Sequence, residues 1–418
     1  MHRIDLWTEP GWCVVTISPK PQPTARTARA LAPDAARGFA LLFIAIANLT
    51  VYLYGNEAGI LGRPIDGSAG DRVADVVGAL FIDNRSYPLF SLLFAYGMHQ
   101  LLSREQQRGT PWPQARSLLL RRNLWLLVFG IAHGFLLFMG DIMHVYALAG
   151  FLLVLLVRAP NWVLWTVFGV TTPLMIFLGA NDAFLASGFD FGMGPMMPSA
   201  QAETLGEAQL DRLGEFSGSL LFSPVLAISL MAPMMLGLLM ARSQLLERPW
   251  EHRRAALIIA VVGVLSAVLG GLPFAFGLAF GFTPGPEWLG AGMLHTASGL
   301  LGGAGYAAMF ALIVSRRQQA GVAPGPAIGA LTALGKRSMS GYLAQSVVFV
   351  LIMPAWSLGL GGTLGTGGAL LVGTSTWLVT VIGAVLLERA GKAGPAEWAI
   401  RRLAYGRPTV SATTALHH

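Results

Sequence analysis

Residues 133–150 read HGFLLFMGDIMHVYALAG, which sets His133, Asp141 and His144 inside a run otherwise dominated by Leu, Phe, Met and Ala. In the core of a soluble protein these would be ordinary hydrogen-bonded polar groups. Within a membrane each one carries a desolvation cost that demands a partner or a task. The composition of the whole chain decides between the two settings. Of 418 residues, 54% are apolar and only 12% charged, with a mean hydropathy of +0.60, which leaves too few charges to cover a soluble surface of this size. The chain therefore reads as an all-α, polytopic membrane bundle, with the quoted run as a tight helical hairpin turning at Gly140 and Asp141.

A hydropathy window of about 19 residues finds ten apolar runs. They lie near 38–55, 86–103, 122–139, 142–157, 161–180, 219–241, 255–280, 288–314, 338–358 and 368–387. Each is long enough, or nearly so, to cross a hydrocarbon core of about 30 Å. No long loop or repeat divides them, so residues 31–408 are expected to form a single transmembrane domain. Residues 1–30 read as a disordered cytoplasmic leader and 409–418 as a disordered tail. The leader lacks an apolar stretch followed by a small-residue cleavage site, so it is not a signal peptide by pattern. Cys13 is the sole cysteine, which leaves neither a disulfide framework nor a thiolate metal site.

Lys and Arg total 28 against 21 Asp and Glu, and 25 of the 28 are Arg. With the N-terminus in the cytoplasm, 24 of these cations fall on the inner side and only Arg63, Arg72, Arg85 and Arg212 outside. That bias satisfies the positive-inside rule and, over ten spans, returns the C-terminus to the cytoplasm. The cations sit in short clusters between apolar runs, a pattern of membrane orientation that carries no sign of nucleic-acid binding. The partners expected are membrane lipids.

The same threading places His133 about 10 Å below the outer end of its span by the helical rise. His295 falls at a similar depth, His144 about one turn into the next span, and Asp141 at the outer turn. One reading is an outward-open polar cavity in which histidine transfers protons and a carboxylate orients it. The other is that each histidine bonds a neighbouring helix and Asp141 caps the helix that follows it. Zinc is possible by ligand type, but the His133, Asp141 and His144 spacing matches no strong metal motif, and no metal site is assigned. On the inner side Arg37, Lys336 and Arg337 are either headgroup anchors or donors to the phosphates of a nucleotide-like molecule such as coenzyme A. Asp34 and Arg37 are spaced for an i,i+3 ion pair. The ninth run carries Ser340, Tyr342, Gln345 and Ser346. No Walker loop, dinucleotide fingerprint or GxSxG elbow occurs.

Together these stretches resemble the YeiB-like family of bacterial membrane proteins, which carry a domain of unknown function. LAPDAARGFALL keeps the family's Asp-x-x-Arg-Gly at Asp34, Arg37 and Gly38, with Pro33 replacing its leucine, and PLFSLLFAYG has Ala95 for a glycine. The hairpin supplies His133, Gly134, Gly140, Asp141, Ile142, Tyr146 and Ala147, the family's clearest signature. GKRSMSGYLAQS has Lys336 for Arg and Gly341 for Asn, and GPAEWAIRRLAYG ends the match with Gly394, Pro395, Glu397 and Trp398. The family is distantly similar to transmembrane acyltransferases, a fold-level analogy. That likeness implies a location in the bacterial inner membrane. It also implies transfer of an acyl group from a cytoplasmic donor such as acyl-CoA to a small-molecule or lipid-linked acceptor, with no permanently bound cofactor. One branch of those enzymes keeps a catalytic histidine between its first two spans, where this chain has none.

In this reading His133 is the general base and Asp141 its partner. His144, Tyr146, His295, Tyr342 and Gln345 bind substrate, and Arg37, Lys336 and Arg337 hold the donor's phosphates. The rival expectation is a transporter or exporter that uses the same polar layer to bind solute or relay protons.

Overall fold

The computed structural model describes residues 31–57, 59–180, 197–282 and 285–405. The expected leader with Cys13, the expected tail and residues 181–196 lie outside the described residues. Everything described is helix or connection, with no β-strand element. The helices are α1 (Leu31–Thr50), α2 (Ala69–Val77), α3 (Ser86–Gln107), α4 (Trp112–Leu136), α5 (Met143–Leu156), α6 (Asn161–Gly179) and α7 (Leu205–Ser229). They continue as α8 (Met231–Arg242), α9 (Arg253–Phe280), α10 (Leu289–Gln319), α11 (Pro326–Gly335), α12 (Ser338–Ile352), α13 (Thr366–Arg389) and α14 (Pro395–Tyr405).

Every one of the ten apolar runs falls on helix, but the helices begin and end elsewhere. The third run was expected from residue 122, whereas α4 starts at Trp112 behind Pro111 and carries Arg116, Arg121 and Arg122 in its first turns. The sixth was expected from 219, whereas α7 starts at Leu205. There Thr204 accepts from the Glu207 N–H and Glu207 reaches back to the Thr204 N–H, a capping box that starts the helix inside a polar stretch. The ninth run ends early, since α12 stops at Ile352. Among the described residues six helical stretches are long and apolar enough to cross a membrane: Leu31–Thr50, Asn161–Gly179, Leu205–Arg242, Arg253–Phe280, Pro286–Gln319 and Thr366–Arg389. Their outer faces are apolar. On α9, Leu257, Ile258, Val261, Val262, Leu265, Leu269, Leu272, Phe276 and Phe280 are all exposed. A stripe of that length would aggregate in water and is the expected contact with lipid tails.

Between helices the contact is made by small residues. A β-carbon on Gly263 of α9 would lie 2.5 Å from the Leu301 carbonyl and 2.7 Å from the Gly305 Cα of α10. Such close backbone approach is the usual way for membrane helices to gain packing where no hydrophobic drive exists between them. Helix α1 is held on three sides. Trp377 Nε1 of α13 donates to the Gly38 carbonyl at 2.9 Å, Gly335 of α11 abuts the Asp34 backbone, and Arg37 reaches α3. Helices α4 and α5 pair as the expected hairpin, and α7 packs against both. That three-helix junction places the polar residues of the opening stretch.

Candidate functional site

Helix α4 ends within a turn of His133, whose carbonyl accepts from the Leu137 N–H at 2.8 Å and the Phe138 N–H at 3.1 Å. The chain reverses through residues 137–142 and re-enters helix at Met143. His133 therefore lies in the last turn of α4 and His144 in the first turn of α5, both nearer the turn than the expected span limits placed them. Asp141 between them is 3% exposed, His133 3% and His144 0%.

Asp141 serves both expected roles at once. Its Oδ1 accepts from the His144 backbone N–H at 2.9 Å, which caps α5, and meets His144 Nδ1 at 2.9 Å. Its Oδ2 meets His133 Nδ1 at 2.8 Å. A carboxylate only accepts, so it assigns both Nδ1 atoms as N–H donors. In the neutral ring that leaves each Nε2 as a bare acceptor. His144 Nε2 lies 2.7 Å from Ser223 Oγ of α7, and that hydroxyl also lies 3.0 Å from the Ser219 carbonyl. The single hydroxyl proton can serve one of these acceptors. Either Ser223 donates to a neutral His144, or a protonated His144 donates to Ser223 and Ser223 to Ser219.

His133 Nε2 is buried without a hydrogen-bond partner, as is the Tyr342 hydroxyl. The two rings pack with centroids 5.0 Å apart. Phe216 of α7 closes the other side, edge-on to His144 at 5.1 Å. The arrangement is thus a carboxylate bridging two imidazoles, one tied into a serine and the other with a free basic nitrogen. Among the described residues no group of three His, Cys, Asp or Glu is placed to hold a metal ion. Each Nδ1 here is already spent on Asp141.

The remaining expected site residues are scattered. His295 does not join the group: its Nδ1 meets Asn84 Nδ2 at 3.2 Å, its Nε2 meets the Ala79 carbonyl at 3.0 Å, and Arg85 lies against the same nitrogen. Those partners tie α10 to the segment before α3. Tyr146 donates to the Tyr87 carbonyl at 3.2 Å and stacks on Phe94 at 5.7 Å, a packing role between α5 and α3. Gln345 is 1% exposed, its Nε2 3.5 Å from Thr380 Oγ1 and its Oε1 unpartnered. Arg37 pairs with Asp34 at 2.8 Å and donates to the Leu93 carbonyl at 2.6 Å. Lys336 and Arg337 both bind Glu388, at 2.7 and 2.6 Å. Two residues of the junction, Arg212 and Ser223, went unread in the sequence. Arg212 donates to the Leu136 carbonyl at 2.9 Å. Its signal was present, since it is one of the four cations that the positive-inside rule leaves on the expected outer side, whereas nothing marks Ser223.

Residues 240–407 match the family model described as "Protein of unknown function (DUF418)". The DUF418 match covers α9 to α14 and so includes Tyr342, while the His133 hairpin lies upstream of it. The chain is also 26% identical over 417 residues to "Uncharacterized protein YxaH" of Bacillus subtilis (strain 168), covering 92% of this chain and 96% of that protein. A second relative, the "Uncharacterized 39.9 kDa protein in amylase 3'region" of Bacillus acidopullulyticus, is 34% identical over 120 residues, 29% of this chain and 32% of that one.

Proposed function

We propose that this protein is a bacterial inner-membrane acyltransferase whose general base is His133 Nε2. The observation that carries this is the Asp141–His133 pair. The carboxylate fixes the imidazole with Nδ1 protonated and leaves a buried, unpartnered Nε2, the arrangement that general-base catalysis requires. The acceptor's hydroxyl or amine gives its proton to Nε2 as its oxygen or nitrogen bonds to the acyl carbon. The donor's sulfur leaves with the electron pair of the broken C–S bond and takes that proton from the imidazolium, whose charge Asp141 balances. Acyl-CoA is the donor in this reading, its phosphates drawn to the inner cluster of Arg37, Lys336 and Arg337, and the acceptor is a small extracytoplasmic or lipid-linked molecule.

The topology belongs to the same proposal: ten spans with both termini in the cytoplasm. Its support is the arginine distribution, with 24 basic residues inside and four outside.

A deletion strain complemented with wild type, His133→Ala or His133→Gln tests the chemistry through comparison of lipid and envelope extracts. The expected result is that both variants insert and fold but lose the acyl-modified species. Glutamine retains hydrogen bonding without a group that titrates near neutral pH, so full complementation by His133→Gln sinks the base role.

One observation favours a second reading, proton-coupled transport. The hydrogen-bonded line from His133 through Asp141 and His144 to Ser223 crosses three helices, as a proton relay does. Solute uptake by reconstituted vesicles without chemical change of the solute selects that alternative.

A further inference from the structure

We propose that Arg212 clamps a carboxylate or phosphate group on the molecule whose hydroxyl or amine His133 deprotonates, an inference that rests on the proposed role of His133. Arg212 is 0% exposed. Its Nη1 is held by the Leu136 carbonyl at 2.9 Å, while Nε and Nη2 have no partner. Nε and Nη2 share one edge of the guanidinium plane, and the parallel N–H bonds of that edge match two oxygens of a carboxylate or phosphate. The other buried arginines differ. Arg63 reaches Asp75 and Asp83, Arg85 reaches the Asp83 and Ala267 carbonyls, and Arg337 reaches Glu388 and the Ala333 and Lys392 carbonyls. Each of them has partners at both terminal nitrogens. A buried cation with a whole edge unpaired is costly, and an anion with two oxygens removes that cost.

The place of the clamp follows from α7. Arg212, Phe216 and Ser223 share one helical face at spacings of four and seven residues. Phe216 packs on the His144 ring and Ser223 bonds it. Leu136, which anchors Arg212, is three residues beyond His133, or about 4.5 Å along the axis of α4. The unpaired edge of Arg212 therefore lies about one turn beyond the base along α4. Glu215 does not close it: its two oxygens hold the Ser199 N–H at 2.8 Å and the Ser199 hydroxyl at 2.9 Å. The acceptor class that fits carries its nucleophilic hydroxyl or amine a few bonds from an acidic group. Either a free hydroxy or amino acid or phosphate ester, or an anionic phospholipid headgroup, has this chemistry.

The test is binding, read without turnover. Purified wild type, Arg212→Lys, Arg212→Gln and His133→Gln in a neutral detergent are titrated by thermal unfolding. One arm uses inorganic phosphate and acetate. The other uses phosphatidylglycerol against phosphatidylcholine of the same chains. Wild type is expected to gain a saturable rise in Tm in one arm, which names the source of the anion. Arg212→Gln should lose the response. Arg212→Lys keeps the charge without the fork and should bind roughly tenfold or more weakly, the value of one charge-assisted hydrogen bond. No response of the wild type in either arm, or an unchanged response in Arg212→Gln or Arg212→Lys, overturns the clamp. If Arg212→Gln does not fold, Arg212→Lys decides alone. Because His133→Gln should bind as wild type does, complementation by that variant with its anion response intact removes the catalytic role while the clamp stands.

Discussion

Gly130 shows how little freedom the hairpin has. A β-carbon there would sit 2.4 Å from the His144 backbone nitrogen and 2.8 Å from Asp141 Oδ1. The first is backbone and the second a carboxylate oxygen held by the His144 N–H and Nδ1, so Gly130→Ala must push α5 away from α4 or separate Asp141 from a histidine. The expected outcome is a destabilisation of about 1–3 kcal/mol, typical of overpacking, in thermal unfolding. The same change should lose function as His133→Ala does in complementation, and a wild-type result in both assays contradicts the packing. Arg37 makes a second residue-scale case. From spacing alone its pair with Asp34 looks worth a few tenths of a kcal/mol. The structure instead buries Asp34 to 2% exposure and gives Arg37 an additional bond to the Leu93 carbonyl. Arg37→Ala should then cost about 1.5–3 kcal/mol in unfolding experiments, with Arg37→Lys recovering part of it. Legibility at this scale followed chain distance. His133, Asp141 and His144 lie within 12 residues around a turn that forces them together, whereas Ser223 meets His144 across 79 residues and Arg212 meets Leu136 across 76. His295 was read at a depth along its helix, but depth does not fix which way a side chain faces.

Among elements, α2 and the chain around it show what hydropathy passes over. Its N-terminus carries a capping box between Ser68 and Asp71, and Asp71 Oδ1 also accepts from the Gly367 N–H at 2.7 Å, capping α13. Arg63 then joins Asp83 at 2.9 Å and Asp75 at 3.6 Å. None of these residues lies in an apolar run, and hydropathy passes over the segment. Burial pushes the Asp75 carboxyl up to about 6, only partly offset by Arg63. The folded-state value lies above the unfolded one, so this group favours the fold fully below about pH 4 and loses that contribution as pH rises through about 6. A shift of this size corresponds to on the order of 2–3 kcal/mol of local stability. The packing of α2 should therefore tighten when the pH falls from 7 to 5, seen as higher protection factors across residues 69–85 once the intrinsic pH dependence of amide exchange is divided out. Asp75→Asn, which cannot ionise, should flatten that dependence, and an unchanged profile in the variant would assign it to another group.

At the scale of the whole molecule, the all-helical architecture was legible because apolar length and composition are direct consequences of lipid as solvent. Helix ends were less so, because hydropathy reports where lipid touches a helix and not where its hydrogen bonds begin. Helix α7 illustrates both points: its apolar part starts near residue 219, yet the helix reaches out to Leu205 and carries Arg212 and Glu215 with it. Which side of the membrane that extension occupies fixes the side from which an acceptor approaches His133. The arginine distribution puts Ser103–Arg122 in the cytoplasm and Asn181–Ser217 outside. Single cysteines in a Cys13→Ser background test this directly. Gln107 and Leu210 are suitable positions because both are exposed, Leu210 at 71%, whereas Ala208 on the same turn is buried. In sealed right-side-out cells an impermeant maleimide should label Leu210→Cys at once and Gln107→Cys only after permeabilisation. Equal labelling of both in sealed cells would refute the orientation. Labelling of Gln107→Cys but not of Leu210→Cys in sealed cells would reverse it and turn the Arg212 edge and the His133 hairpin toward the cytoplasmic donor instead of an extracytoplasmic acceptor.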